Sequence, residues 1–102
     1  MSIHSCPKYY SAWAILGIAY AKFKKPSLAE KMLRKIDVRK IEDGDIFYNI
    51  ACAYSILDIK DLALKFLKRA VALNPENREE IRGDKDFSSL SGTKEYAEII
   101  KK

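Results

Sequence analysis

The sequence predicts an all-α fold built from stacked antiparallel helix hairpins. Three observations predict it. Apolar residues recur at three- and four-residue spacing along the chain, as in Trp13, Leu16, Gly17 and Tyr20, and again in Phe47, Ile50, Ala51 and Tyr54. No alternating run is bounded by hairpin turns, which argues against a sheet. The helical pattern also repeats after 34 residues: Trp13 falls on Phe47, Leu16 on Ile50, Gly17 on Ala51, Tyr20 on Tyr54, Ala29 on Ala63, Leu33 on Leu67 and Ile36 on Ala70. Each pair keeps its size class.

Local signals set the helix boundaries. Pro7 suits the first turn of a helix near 7–23. Lys24-Lys25-Pro26 ends it, because the residue before a proline disfavours α geometry. Ser27 with Glu30 three residues later reads as a capping box that opens a second helix near 28–40. Glu42-Asp43-Gly44-Asp45 is a turn that supplies N-caps to a third helix near 46–57. A fourth helix is expected near 61–73, after Asp58-Ile59-Lys60. Asn74-Pro75 reads as a stop and restart, with Asn as cap and Pro in the first turn of a short helix near 76–82. Gly83 can end that helix, and Asp86 to Leu90 can form another turn. Thr93 caps a last helix near 94–101 with apolar positions at Tyr96, Ala97, Ile99 and Ile100.

The segment Trp13-x-x-Leu16-Gly17-x-x-Tyr20 fits the opening of the tetratricopeptide signature, and the period agrees. On these residues the chain resembles the tetratricopeptide repeat family. Leu33 and Leu67 stand where the signature has Phe, Phe47 replaces the Trp, and Ile41 stands where Pro75 sits in the second unit. The resemblance implies one domain over 1–102, with repeat one at 10–43, repeat two at 44–77 and a helical cap at 78–102. It implies a right-handed superhelical stack, an α-solenoid. Small residues at Gly17, Ala29, Ala51 and Ala63 should let paired helices approach. Trp13, Tyr20 and Tyr54 should fill the space between neighbouring hairpins. One hairpin cannot bury its apolar face alone. The first hairpin lacks a cap of its own, so Ile3, Tyr9 or Tyr10 could meet another copy or another protein, unless residues 1–9 fold back over that edge.

Composition narrows the function. With 102 residues, 48% hydrophobic and 32% charged, the chain suits one small domain, not a large enzyme with separate cofactor and substrate domains. The formal charge of +5 is unevenly placed. Residues 22–40 hold eight Lys or Arg against Glu30 and Asp37, whereas 41–61 hold five acidic residues against Lys60. The two cysteines form no disulfide framework, no apolar stretch reaches membrane-spanning length and no secretory leader is legible, so a reducing cytoplasm is expected.

Catalytic sets are thin. His4 is the only histidine; with Cys6 it offers two ligands where a structural zinc needs four. Cys52 lies in the apolar run Ile50-Ala51-Cys52-Ala53 with no base evident nearby. Asp84-x-Asp86 is only a fragment of a calcium loop, and no phosphate loop occurs. No cofactor or enzyme activity is expected.

Binding is the better reading. By the resemblance, the first helix of each hairpin lines a concave groove. The matching residues are Ser11, Ala14, Ile18, Ala21 and Lys22, then Asp45, Tyr48, Asn49, Cys52, Ser55 and Ile56. An extended segment or an amphipathic helix of a partner protein fits such a surface. The C-terminal helix or a neighbouring copy could fill it instead. The clamp with which some family members hold chaperone tails is mostly missing: Asn49 matches, but Ala14, Ile18, Glu79 and Gly83 occupy the other positions. Self-association through the first hairpin is the alternative. Nucleic-acid binding by the basic run, including Lys31, Arg34, Lys35, Lys65, Lys68 and Arg69, is a weaker one.

Overall fold

The computed structural model describes residues 7–101. Among the described residues there are six α-helices: α1 (Pro7–Lys22), α2 (Pro26–Arg34), α3 (Gly44–Ile56), α4 (Lys60–Leu73), α5 (Asn77–Gly83) and α6 (Lys94–Ile100). Short 3-10 segments lie at Val38–Lys40 and Lys85–Leu90. Among the described residues there is no strand. The fold is all-α. Ile3, His4 and Cys6 lie outside the described residues, and so does any contact made by residues 1–6.

Helix α3 is the centre of the molecule. It packs along α1 on one side and α4 on another, and the 3-10 segment Lys85–Leu90 lies against it. Helix α2 pairs with α1, while α6 rests on α4 and α5. Phe47, Ile50, Ala51 and Ala53 of α3 are buried, as are Leu67 of α4, Ile81 of α5 and both Phe87 and Leu90 of the tail. The core therefore runs continuously from the first hairpin to the C-terminal segment.

The turns inside the two hairpins, α1–α2 and α3–α4, are built alike. Lys24 and Asp58, one repeat apart, both have left-handed backbone, at φ 60° and 63°. The Lys25 N–H donates to the Tyr20 carbonyl at 2.8 Å, and the Ile59 N–H donates to that of Tyr54 at 2.9 Å. This is the six-to-one bond of a Schellman-type helix end. Lys25 has φ −118° and ψ 69°, outside the α region, as its place before Pro26 requires.

Several boundaries differ from expectation. Helix α2 begins at Pro26 and uses no side-chain cap, so Ser27 and Glu30 form no capping box. Pro26 at the helix start needs no N–H partner and has its φ preset, which draws the start ahead of Ser27. The helix also ends at Arg34 instead of near 40, and Asp37 then caps a separate 3-10 turn by accepting from the Arg39 N–H at 3.1 Å. Asn74 closes α4, donating its N–H to the Ala70 carbonyl at 2.9 Å. Pro75 lies in the turn before α5, not in its first turn. Asp43 does cap α3, and Thr93 caps α6 by accepting from the Tyr96 N–H at 3.2 Å.

Gly17 permits a close approach, as expected of a small residue in α1: a Cβ there would lie 2.8 Å from Leu33 Cδ2 of α2. Tyr54 stacks on Phe66 of its own hairpin, with centroids 5.8 Å apart, and its hydroxyl also feels the charges of Glu30 and Arg34 on α2 of the first hairpin. Phe47 stacks on Phe66 as well, at 6.0 Å. Tyr10 is buried against Trp13 and belongs to the core, not to an open edge.

Candidate functional site

The expected groove residues divide into three groups. Ala14 and Ala21 are buried. Being buried, they are wall and not open lining. Tyr48, Cys52 and Ser55 meet the chain's own tail. Lys22 is exposed, while Ile18, Asn49 and Ile56 are half-buried, as is Ser11; Asp45 is exposed. An open lining over all of these positions is therefore not what the fold presents: Cys52 and Ser55 are covered by residues 84–89.

That cover is polar and specific. The Tyr48 hydroxyl donates to Asp84 Oδ2. The Tyr48 ring meets Phe87 edge-on, with centroids 5.4 Å apart. The Cys52 thiol donates to Asp86 Oδ2 at 3.1 Å. Ser55 Oγ donates to the Asp86 carbonyl at 2.6 Å and lies 2.9 Å from Ser89 Oγ. Ser89 Oγ donates in turn to the Ser55 carbonyl at 3.0 Å. Two hydroxyl protons serve these three serine contacts, so two of them at most are hydrogen bonds at one time. Asp84 orders the loop by accepting from the Asp86 N–H at 2.9 Å.

Lys22 completes the set from α1, with Nζ 3.4 Å from Asp86 Oδ2. Three elements thus converge on one carboxylate: the end of α1, the middle of α3 and the tail. Exposure of the lysine keeps the ion pair weak, within about 1 kcal/mol.

The chemistry of the cluster is that of a latch. Burial, with hydrogen bonds to carboxylates second, pushes the Tyr48 phenol and the Cys52 thiol well above their ordinary values. Both keep their protons at neutral pH. Cys52, Asp84 and Asp86 bring ligand-type atoms within 4.8 Å of one another, but the thiol serves as a donor to Asp86. A protonated thiol is neither a nucleophile nor a thiolate ligand.

Sequence reasoning left Asp84, Asp86, Phe87 and Ser89 out of the site. The signal was present. Cys52 and Asp86 are 34 residues apart, and so are Ser55 and Ser89. In a stacked repeat, such pairs are neighbours.

Three basic residues lie over rings, one just after α2 and two on α4. Lys35 Nζ lies 5.7 Å from the Trp13 centroid, Arg69 lies 5.9 Å from that of Phe47, and Lys65 lies 5.6 Å from that of Phe66. These are cation–π distances. Among the described residues no helix is long and apolar enough to cross a membrane.

Comparison with curated proteins and with solved structures gives no match. Comparison with family models does: residues 44–77, which span α3 and α4, match the tetratricopeptide repeat. Repeats of this family mediate protein–protein interactions and are typically non-catalytic. The hairpin α3–α4 at the centre of this all-helical chain is a tetratricopeptide repeat.

Proposed function

We propose that the chain is a non-catalytic interaction module that holds a peptide or helix of a partner protein on the side of α1 and α3 facing the tail. The carrying observation is the shared carboxylate of Asp86, which Lys22 and Cys52 both reach. It supports a surface that is continuous from α1 across α3. On that surface Ile18 and Ile56 supply apolar area, Asn49 supplies a donor and an acceptor, and Lys22 supplies charge. Tyr48, Cys52 and Ser55 form its floor, held by residues 84–89, and Ala14 and Ala21 form its wall.

A photo-cross-linking residue placed at Ile56, or at Lys65 on α4 as the control, tests this reading in lysate of the source cell. A partner captured from Ile56 and not from Lys65 supports it. Capture from Lys65 alone, or equally from both, moves the function to another face.

A further inference from the structure

The first hairpin exposes a face that the second hairpin buries. Shifted by 34 residues, Ala12, Leu16 and Ala19 of α1 fall on Ile46, Ile50 and Ala53 of α3. Ile50 is 1% exposed, but Leu16 is 42% exposed. The two hairpins differ in their neighbours. Hairpin α3–α4 has α1 on one side and the tail on the other, whereas α1–α2 packs chiefly on α3. The positions that change from buried to exposed are therefore those that a preceding helix covers. Ala12 and Leu16 are the two that become exposed, and exposed Tyr9 on α1 and Phe23 just beyond its end fall on the same helical face, with exposed Ile15 to one side. Leu28 of α2 is exposed as well. So much apolar surface on one hairpin marks an interaction site.

Charge selects the occupant. Glu30 is the only acidic residue between positions 7 and 36. Lys24 and Lys25 follow Phe23, Lys31 lies one turn after Leu28, and all three are exposed. A second copy meeting this face with its own first hairpin would bring lysines against lysines. The outer side of α6, at Lys94, Ala97, Glu98 and Lys101, is exposed and mostly charged, and offers no apolar stripe in exchange.

We propose that the outer face of α1–α2 docks an amphipathic helix of another protein, with its apolar stripe bordered by Glu or Asp. The helix takes the place that α1 holds over α3, laying its stripe on Leu16, Ile15 and Phe23. Its acidic border meets Lys24, Lys25 and Lys31. This surface centres on Leu16 and Phe23 and the other on Asn49 and Ile56 of α3, so although they adjoin along α1 at Ile15 and Ile18, the residues that respond to a ligand tell the two readings apart.

Three synthetic helical peptides of about five turns, sharing one Leu/Ala stripe and bordered by Glu, Gln or Lys, test the proposal on the full chain. Fluorescence anisotropy gives affinity, and amide chemical shifts locate the peptide. The Glu peptide is expected to bind about tenfold or more tightly than the Lys peptide at low salt, with the advantage shrinking as salt rises. Its shifts should centre on Leu16 and Phe23. Leu16→Glu should abolish binding with the helical circular dichroism unchanged. Lys24→Glu with Lys31→Glu, at two exposed positions that leave the core intact, should reverse the order of the peptides. That second variant decides the matter if Leu16→Glu does not fold. Equal affinity for Glu and Lys peptides, no binding by any peptide, or shifts centred on Asn49 and Ile56 would each overturn the proposal. So would a wild-type dimer in sedimentation equilibrium that Leu16→Glu dissociates, because it assigns the face to a second copy.

Discussion

Ser55 and Ser89 are 34 residues apart in the chain and adjacent in space, with their Oγ atoms 2.9 Å apart. Cys52 and Asp86 repeat the relationship one turn earlier. The tail therefore lies on α3 in the register of a further repeat, although it is too irregular to continue as one helix. Phe87, fully buried, is its main apolar anchor. Phe87→Ala should cost about 3–5 kcal/mol, a large part of the stability of a domain this size. Urea unfolding followed by circular dichroism measures it. A cost below about 1 kcal/mol would mean that the tail is not part of the cooperative unit.

The matched left-handed residues give a prediction of opposite sign. Lys24 and Asp58 hold φ near +60° where side chains are disfavoured and glycine is not. Lys24→Gly and Asp58→Gly should each raise stability by roughly 0.5–1 kcal/mol, the relief at the turn exceeding the added freedom of the unfolded chain. Thermal melts of the single and double variants check this, and the two effects should add because the turns are separate.

Two glycines differ in what surrounds them. A Cβ on Gly44 would stand 2.9 Å from Asn74 Cβ and 3.0 Å from the Ala70 carbonyl oxygen. The carbonyl belongs to the backbone of α4 and cannot turn aside. At Gly17 the nearest atom is the tip of Leu33. Gly44→Ala should therefore lose about 1–3 kcal/mol by overpacking, and Gly17→Ala should lose less. Equal losses in parallel urea titrations would show that the end of α4 yields as readily as a side chain.

The raised Tyr48 and Cys52 groups predict how stability follows pH. Their ordinary values are 10.0 and 9.0, and the folded protein holds both higher. A raised group contributes stability that is fully present below its unfolded value and is lost as pH rises past it towards the folded one. The unfolding midpoint should be flat between neutrality and about pH 8.5, then fall above about pH 9. Cys52→Ala and Tyr48→Phe should each flatten the fall. Tyr48→Phe should also lower stability at neutral pH by about 1–2 kcal/mol through loss of the bond to Asp84. A decline no shallower in the double variant than in the wild type would assign the alkaline loss to other groups.

Much of the fold was legible because repetition is a local property. The 34-residue period, the helical spacing, Pro26 at a helix boundary and the Asp43 and Thr93 caps are all written in adjacent residues. Hence the hairpins, their approximate limits and the closeness of α1 to α2 at Gly17 follow from the chain alone. The capping box at Ser27 misled because two local signals competed and the proline set the helix start.

The site was less legible, since burial depends on what arrives from elsewhere. Sequence placed Tyr48, Cys52 and Ser55 on one face of α3. Only the tertiary structure decided that Asp84, Asp86, Phe87 and Ser89 cover that face. The same holds for the outer edge. Leu16 and Ile50 are equivalent in the pattern, and only the presence of α1 over α3 makes one core and the other surface. A repeat specifies its own hairpin through short-range periodicity. Its exposure is set by its neighbours, and no single unit encodes them.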